Sequence, residues 1–184
     1  MNDWRGMLDA VVRERGRALF GYAYVLTGDR DAAEDLLQDA LVRAFRSGRR
    51  CSSVDAAHAY AKRAITTAFI DAARRASSRP VSAGDLTDWV SRAPLAPDHG
   101  SRVDAVLDLQ SALLILAPRE RACVVLRYMD DMTVAGVADT LGLAQGTVKR
   151  YLSDAVATLR RTMPGLEFGD GDTVPVVTRD GGVR

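Results

Sequence analysis

The run Thr133-Val-Ala-Gly-Val-Ala-Asp-Thr-Leu-Gly-Leu-Ala-Gln-Gly-Thr-Val-Lys-Arg-Tyr-Leu-Ser-Asp-Ala-Val156 reads as a helix, a tight turn and a second helix. Apolar Val134, Val137, Ala138 and Leu141 form one stripe, and Thr133 stands where it can cap the start. Gly142 supplies the backbone freedom that a sharp helix C-terminus requires. Beyond it Val148, Leu152, Ala155 and Leu159 recur at helical spacing and are expected to face inward. Gln145, Thr147, Lys149, Arg150 and Ser153 are then left facing out. A helix showing hydroxyl, amide and cationic groups on its early turns suits a DNA major groove, with cations on phosphates and polar groups on base edges. An ordinary amphipathic hairpin with a solvated face has the same spacing, so the pattern alone leaves both readings open.

The rest of the composition narrows the function class. A chain of 184 residues with 47% hydrophobic content can bury one core or two small ones. No apolar run approaches the ~20 residues needed to span a bilayer, and Met1-Asn-Asp-Trp-Arg is not a secretory start, so a soluble, cytoplasmic protein is expected. Cys51 and Cys123 are isolated from each other and from His58 and His99, which argues against zinc, a structural disulfide and a catalytic dyad. Arg49 and Arg50 precede Cys51 and would favour its thiolate, although a passive cysteine is the simpler expectation. No catalytic residue, metal, cofactor or small-molecule substrate is expected. The net charge of +1 is too small for a protein that grips DNA by bulk phosphate neutralisation. If the chain reads DNA, another component supplies much of the hold.

The fold class expected is all-α: two small helical domains joined by a flexible linker. Residues 4–76 read as three helices. Leu8, Val12, Leu19, Tyr22 and Leu26 mark the first, which ends near Gly28. Asp29 or Asp31 can cap the second, with Leu36, Leu37, Ala40, Leu41, Ala44 and Phe45 as its apolar face. Ser53 can cap a third over about 54–75, built on Ala57, Ala61, Ala64, Ile65, Ala68 and Ala72. Residues 77–101, rich in proline, glycine and serine, read as the linker. Its Leu86, Trp89, Val90 and Leu95 either dock on a domain or meet a partner as an extended segment. Residues 102–162 form the second domain, in which Pro118 suits the first turn of a helix. Residues 163–184 read as a flexible tail.

Taken together, the pieces resemble a bacterial sigma factor of the extracytoplasmic-function group (group IV of the sigma-70 family), an actinobacterial SigE-like member, with only the second and fourth sigma domains. Leu116-Ala-Pro-Arg-Glu-Arg-Ala-Cys-Val-Val-Leu-Arg-Tyr128 and Gly146-Thr-Val-Lys149 are similar to the fourth domain. Asp31-Ala-Ala-Glu-Asp-Leu-Leu-Gln-Asp-Ala-Leu-Val-Arg-Ala-Phe45 resembles the second-domain helix that docks on the polymerase clamp. Tyr60-Ala-Lys-Arg-Ala-Ile-Thr-Thr-Ala-Phe-Ile-Asp-Ala-Ala-Arg-Arg75 resembles the promoter-melting helix. The resemblance spans about residues 4–162.

What it implies is a division of labour. Residues 4–76 would dock on the clamp through Glu34, Asp35, Gln38 and Asp39 and would recognise and melt the minus-ten element. Tyr60 is the stacking candidate there, where relatives often have tryptophan, with Arg49, Arg50, Lys62, Arg63, Thr67, Arg74 and Arg75 as strand and phosphate candidates. Residues 102–162 would read the minus-thirty-five element through Gln145, Thr147, Lys149, Arg150 and Ser153. The partners implied are core RNA polymerase, at its clamp and flap regions, promoter DNA and an anti-sigma factor; no membrane is implied. The sequence departs from the family pattern at Gly136 (often glutamate), Ala144 (often a capping serine), Asp154 (often arginine) and Thr67 (usually asparagine). Asp154 would repel phosphate yet can accept a hydrogen bond from cytosine.

The alternative is a transcriptional regulator with a response-regulator (LuxR) type helix-turn-helix, binding duplex DNA alone. Its receiver domain would need alternating strands and helices, which the helical first half does not offer.

Overall fold

The computed structural model describes residues 4–46, 51–78 and 109–163, and every regular element among them is helical. The chain divides into two compact units, Met1–Arg92 and Ala93–Arg184. The expected tail from 164 on and nearly all of the expected linker lie outside the described residues, as do Arg49 and Arg50.

In the first unit, α1 (Trp4–Thr27), α2 (Arg30–Arg46) and α3 (Val54–Ser78) each pack on the other two. Gly28, at φ 74°, ends α1 in the left-handed region and turns the chain within two residues. Of the two capping aspartates considered, Asp29 does the work: its Oδ1 accepts from the Ala32 N–H at 2.9 Å. Ser53 caps α3 in the same way, accepting from the Ala56 N–H at 3.1 Å. Alanines dominate the contact surfaces: Ala33, Ala40 and Ala44 on α2, and Ala57, Ala61 and Ala68 on α3, are all buried. Such small side chains let the helices approach closely around Leu19, Leu26, Phe45 and Ile65. One buried polar pair lies in this core, the Tyr22 hydroxyl and Thr66 Oγ1 at 2.8 Å.

Two expectations for this unit need correction. Helix α3 continues to Ser78, beyond the predicted end near 75. Val12, placed on the inward stripe, is 47% exposed, while Val11 is fully buried. Arg15, one turn beyond Val11 on the same side of α1, meets Asp55 of α3 at 2.8 Å, so the neighbouring helix lies on that side rather than over Val12.

In the second unit the helical segment 109–115 (α4) precedes α5 (Pro118–Val124), which runs directly into a single π-helical turn, Val125–Met129. Residues 121–127 are all buried, so this is the unit's central rod, with α6 (Val134–Leu141) and α7 (Gln145–Thr162) packed on it. Pro118 occupies the first turn of α5, as its lack of an N–H allows. The Glu120 carboxylate accepts from the Ala117 N–H at 3.2 Å, half of a capping box. Burial raises the Cys123 thiol to about 11, with the Glu120 charge adding to the effect, so Cys123 is an inert core residue.

Two arginines in the rod are structural and were not singled out by the sequence pattern. The Arg121 guanidinium, buried and lowered to about 10 by that burial, donates to the Leu114 and Leu116 carbonyls at 2.9 and 3.1 Å, closing the end of α4. Arg127 donates to the Met132 carbonyl at 2.9 Å and so pins the loop that leads into α6. That loop contains Asp131 at φ 54°, a conformation aspartate tolerates better than most residues.

Candidate nucleic-acid interface

The helix-turn-helix forms as its spacing dictates. Thr133 Oγ1 accepts from the Gly136 N–H at 3.1 Å, and Gly142 closes α6 at φ 62°. The Leu143 N–H reaches back to the Ala138 carbonyl at 2.9 Å, and only three residues separate α6 from α7. Val148, Leu152, Ala155 and Leu159 are the buried residues of α7, the four expected. Ala144 adopts N-cap geometry, φ −72° and ψ 143°, but offers no side-chain acceptor.

Opposite that buried stripe, Gln145, Lys149, Arg150 and Ser153 are exposed. Thr147, expected among them, is half-buried, because it falls on the flank of the helix rather than its crest. At 100° per residue Arg150 points most directly away from the core. Lys149 and Gln145 fall to one side of it, Thr147, Tyr151 and Asp154 to the other. The Arg150 guanidinium lies over the Tyr151 ring, 5.4 Å from its centroid. Asp154 is exposed and is the only acid on the helix.

In the first unit the minus-ten candidates separate into groups. Arg63 and Thr67 are exposed on the outer face of α3, with Arg74 two turns further along. Thr67 Oγ1 is turned back onto the Arg63 carbonyl at 2.9 Å, and Arg74 pairs with Asp71 at 3.4 Å. The Arg75 Nε donates to the Asp71 carbonyl at 3.2 Å. Tyr60 borders this face, half-buried, its ring edge-to-face with Phe45 at 6.3 Å. Lys62 falls elsewhere, roughly 160° round the helix from Tyr60. It is half-buried, with its ammonium 5.5 Å from the centroid of the Tyr22 ring. A lysine stem laid along apolar surface accounts for this placement.

On α2, Glu34, Asp35 and Gln38 are exposed. Asp35 has no ion pair among the described residues, while Glu34 makes a long contact with Arg30 at 3.4 Å. Asp39 is held bidentately by Arg43, whose Nε and Nη2 lie 2.8 and 2.7 Å from its two carboxylate oxygens. Val42, 63% exposed, shares the outward side with Asp35 and Gln38 and was missed. Its signal was a valine outside the apolar spacing of α2.

No group of three or more metal-ligating side chains is assembled among the described residues. None of their helices is long and apolar enough to cross a membrane.

Two family matches fall on these two units. Residues 11–79 match Sigma-70 region 2, and residues 107–159 match Sigma-70, region 4. The chain is 32% identical over 165 residues to the ECF RNA polymerase sigma factor SigM of Mycobacterium tuberculosis, covering 90% of this chain and 81% of that one. It is also 32% identical over 154 residues to the RNA polymerase sigma-E factor of Streptomyces coelicolor, covering 83% of each. Among solved structures, the sigma factor RpoE of Bartonella quintana, crystallised with the anti-sigma factor NepR, shares the fold. There the TM-score is 0.58 at 22% identity, over 89% of this chain and 98% of that one.

A two-part helical fold bearing region 2 and region 4 defines a transcription initiation factor. The chain belongs to the extracytoplasmic-function group of sigma-70 RNA polymerase sigma factors. The region 2 match across α1–α3 sets aside the regulator alternative, whose first half would be a receiver domain.

Proposed function

We propose that this sigma factor works in the cytoplasm as a dissociable subunit of core RNA polymerase and performs no chemistry itself. Helix α2 docks on the clamp through Glu34, Asp35, Gln38 and Asp39, with Val42 adding an apolar contact. Helix α3 works at the minus-ten element. Tyr60 stacks an unpaired base, and Arg63, Thr67, Arg74 and Arg75 follow the strand, with Arg49 and Arg50 before them. Lys62 is a strand contact only if it leaves Tyr22. Helix α7 enters the major groove of the minus-thirty-five element. Lys149 neutralises phosphate, while Arg150, Gln145, Thr147 and Ser153 meet base edges. The functional divisions are 4–76 for the first role and 102–162 for the second, joined by 77–101 and followed by a tail from 163. Contact with the polymerase flap and control by an anti-sigma protein belong to the same reading; the RpoE neighbour bound to NepR supports the latter.

The observation that carries this reading is α7 itself: Val148, Leu152, Ala155 and Leu159 are buried in the core, while Lys149 and Arg150 have none of their charge neutralised by a carboxylate among the described residues. Footprinting tests it. With a net charge of +1, the chain alone should leave promoter DNA unprotected at physiological salt, and adding core polymerase should protect both elements. Protection by the chain alone would support an autonomous regulator instead.

A further inference from the structure

The most unusual arrangement on α7 is the trio Arg150, Tyr151 and Asp154. Arg150 and Asp154 are one turn apart, the spacing at which an arginine and a carboxylate readily pair. Elsewhere in the protein such pairs form: Arg13 with Asp9, Arg30 with Glu34 and Arg43 with Asp39, each four residues apart. Arg150 does not join Asp154. Its guanidinium lies over the half-buried Tyr151 ring, 5.4 Å from the centroid, and Asp154 has no ion pair among the described residues.

The consequence concerns base reading. Paired with each other, Arg150 and Asp154 would cancel: the guanidinium fork would be occupied and the carboxylate consumed. Held apart, they present two separate groups, a donor fork suited to guanine O6 and N7 and an acceptor suited to the cytosine amino group. Four residues of helix advance about 6 Å along the axis, so the two address different base pairs. An unpaired carboxylate facing phosphates is unfavourable, and it is tolerable where it meets an amino group on a base edge.

We propose that Tyr151 is a positioning residue for minus-thirty-five recognition, holding Arg150 off Asp154 so that one selects guanine and the other cytosine. This rests on α7 being the minus-thirty-five helix. The ring face, not the hydroxyl, does the positioning.

The test is transcription by holoenzyme reconstituted from core polymerase and the full chain, on a promoter library randomised through the minus-thirty-five element. Wild type should prefer guanine at one position and cytosine at another. Tyr151→Leu should weaken both preferences together, by at least about threefold each, with unchanged output from templates carrying neither base. Tyr151→Phe should match wild type. In an Arg150→Ala background, Tyr151→Leu should have no further effect at the guanine position. Tyr151→Leu retaining both preferences overturns the proposal. So does an equal loss on every template, which means a packing role. An effect that persists without Arg150, or appears with Tyr151→Phe, also overturns it and means that the tyrosine touches DNA itself. A wild type indifferent to the minus-thirty-five sequence would instead overturn the assignment of α7 on which the proposal rests.

Discussion

At the scale of single residues, α7 separates a buried apolar stripe from an exposed polar face. Because Arg150 points away from the core and contributes no packing to it, Arg150→Ala should leave the fold intact. It should reduce transcription mainly from promoters with an intact minus-thirty-five element, by roughly fivefold or more, the effect of losing a ~1–3 kcal/mol base contact. Equal loss on all templates, measured by run-off yield, would point to general phosphate binding. Ala144 is the opposite case. Its backbone already has N-cap geometry without a capping oxygen, so Ala144→Ser should stabilise the protein by about 1 kcal/mol. For a unit of this size that is a rise of roughly 8 °C in its unfolding midpoint. An unchanged melting curve would mean the Thr147 N–H already has all the partner it needs in the Ala144 carbonyl, 2.9 Å away.

At the scale of elements, α2 divides its acids between an internal ion pair and an exposed outward side. Asp39 is held by Arg43, while Asp35 stands unpaired beside Gln38 and Val42. Asp35→Lys should therefore lower affinity for core polymerase at least about tenfold with no change in helicity, and Asp39→Asn should do less. Core affinity unchanged by Asp35→Lys in a pull-down titration would remove α2 from the docking face. The helices themselves were legible because apolar spacing, Thr133, Ser53, Gly28 and Gly142 all act within one or two turns. Periodicity named the buried residues of α7 without error. It failed at Val12, since spacing along one helix does not say which side of its apolar face a neighbouring helix covers. The family resemblance grouped Lys62 with Tyr60, because a list of cations in one segment does not say which side of the helix each occupies. The structural roles of Arg121 and Arg127 were hidden for a related reason: their carbonyl partners come from the turns at either end of the rod. The π-helical turn at Val125–Met129 had no sequence signal at all.

At the scale of the whole molecule, the governing quantity is charge. A net +1 on 184 residues leaves little to drive association with a polyanion, so selectivity and hold must come from different molecules. On the proposed reading the chain would supply reading groups on two helical units, and core polymerase would supply the grip. The most direct measurement is run-off transcription with purified core polymerase across a promoter library, mapping start sites with and without this chain. Adding the chain should concentrate initiation at a fixed distance downstream of one pair of sequence elements. Initiation left where core polymerase alone places it, despite demonstrated binding of the chain, would mean that the chain does not select promoters.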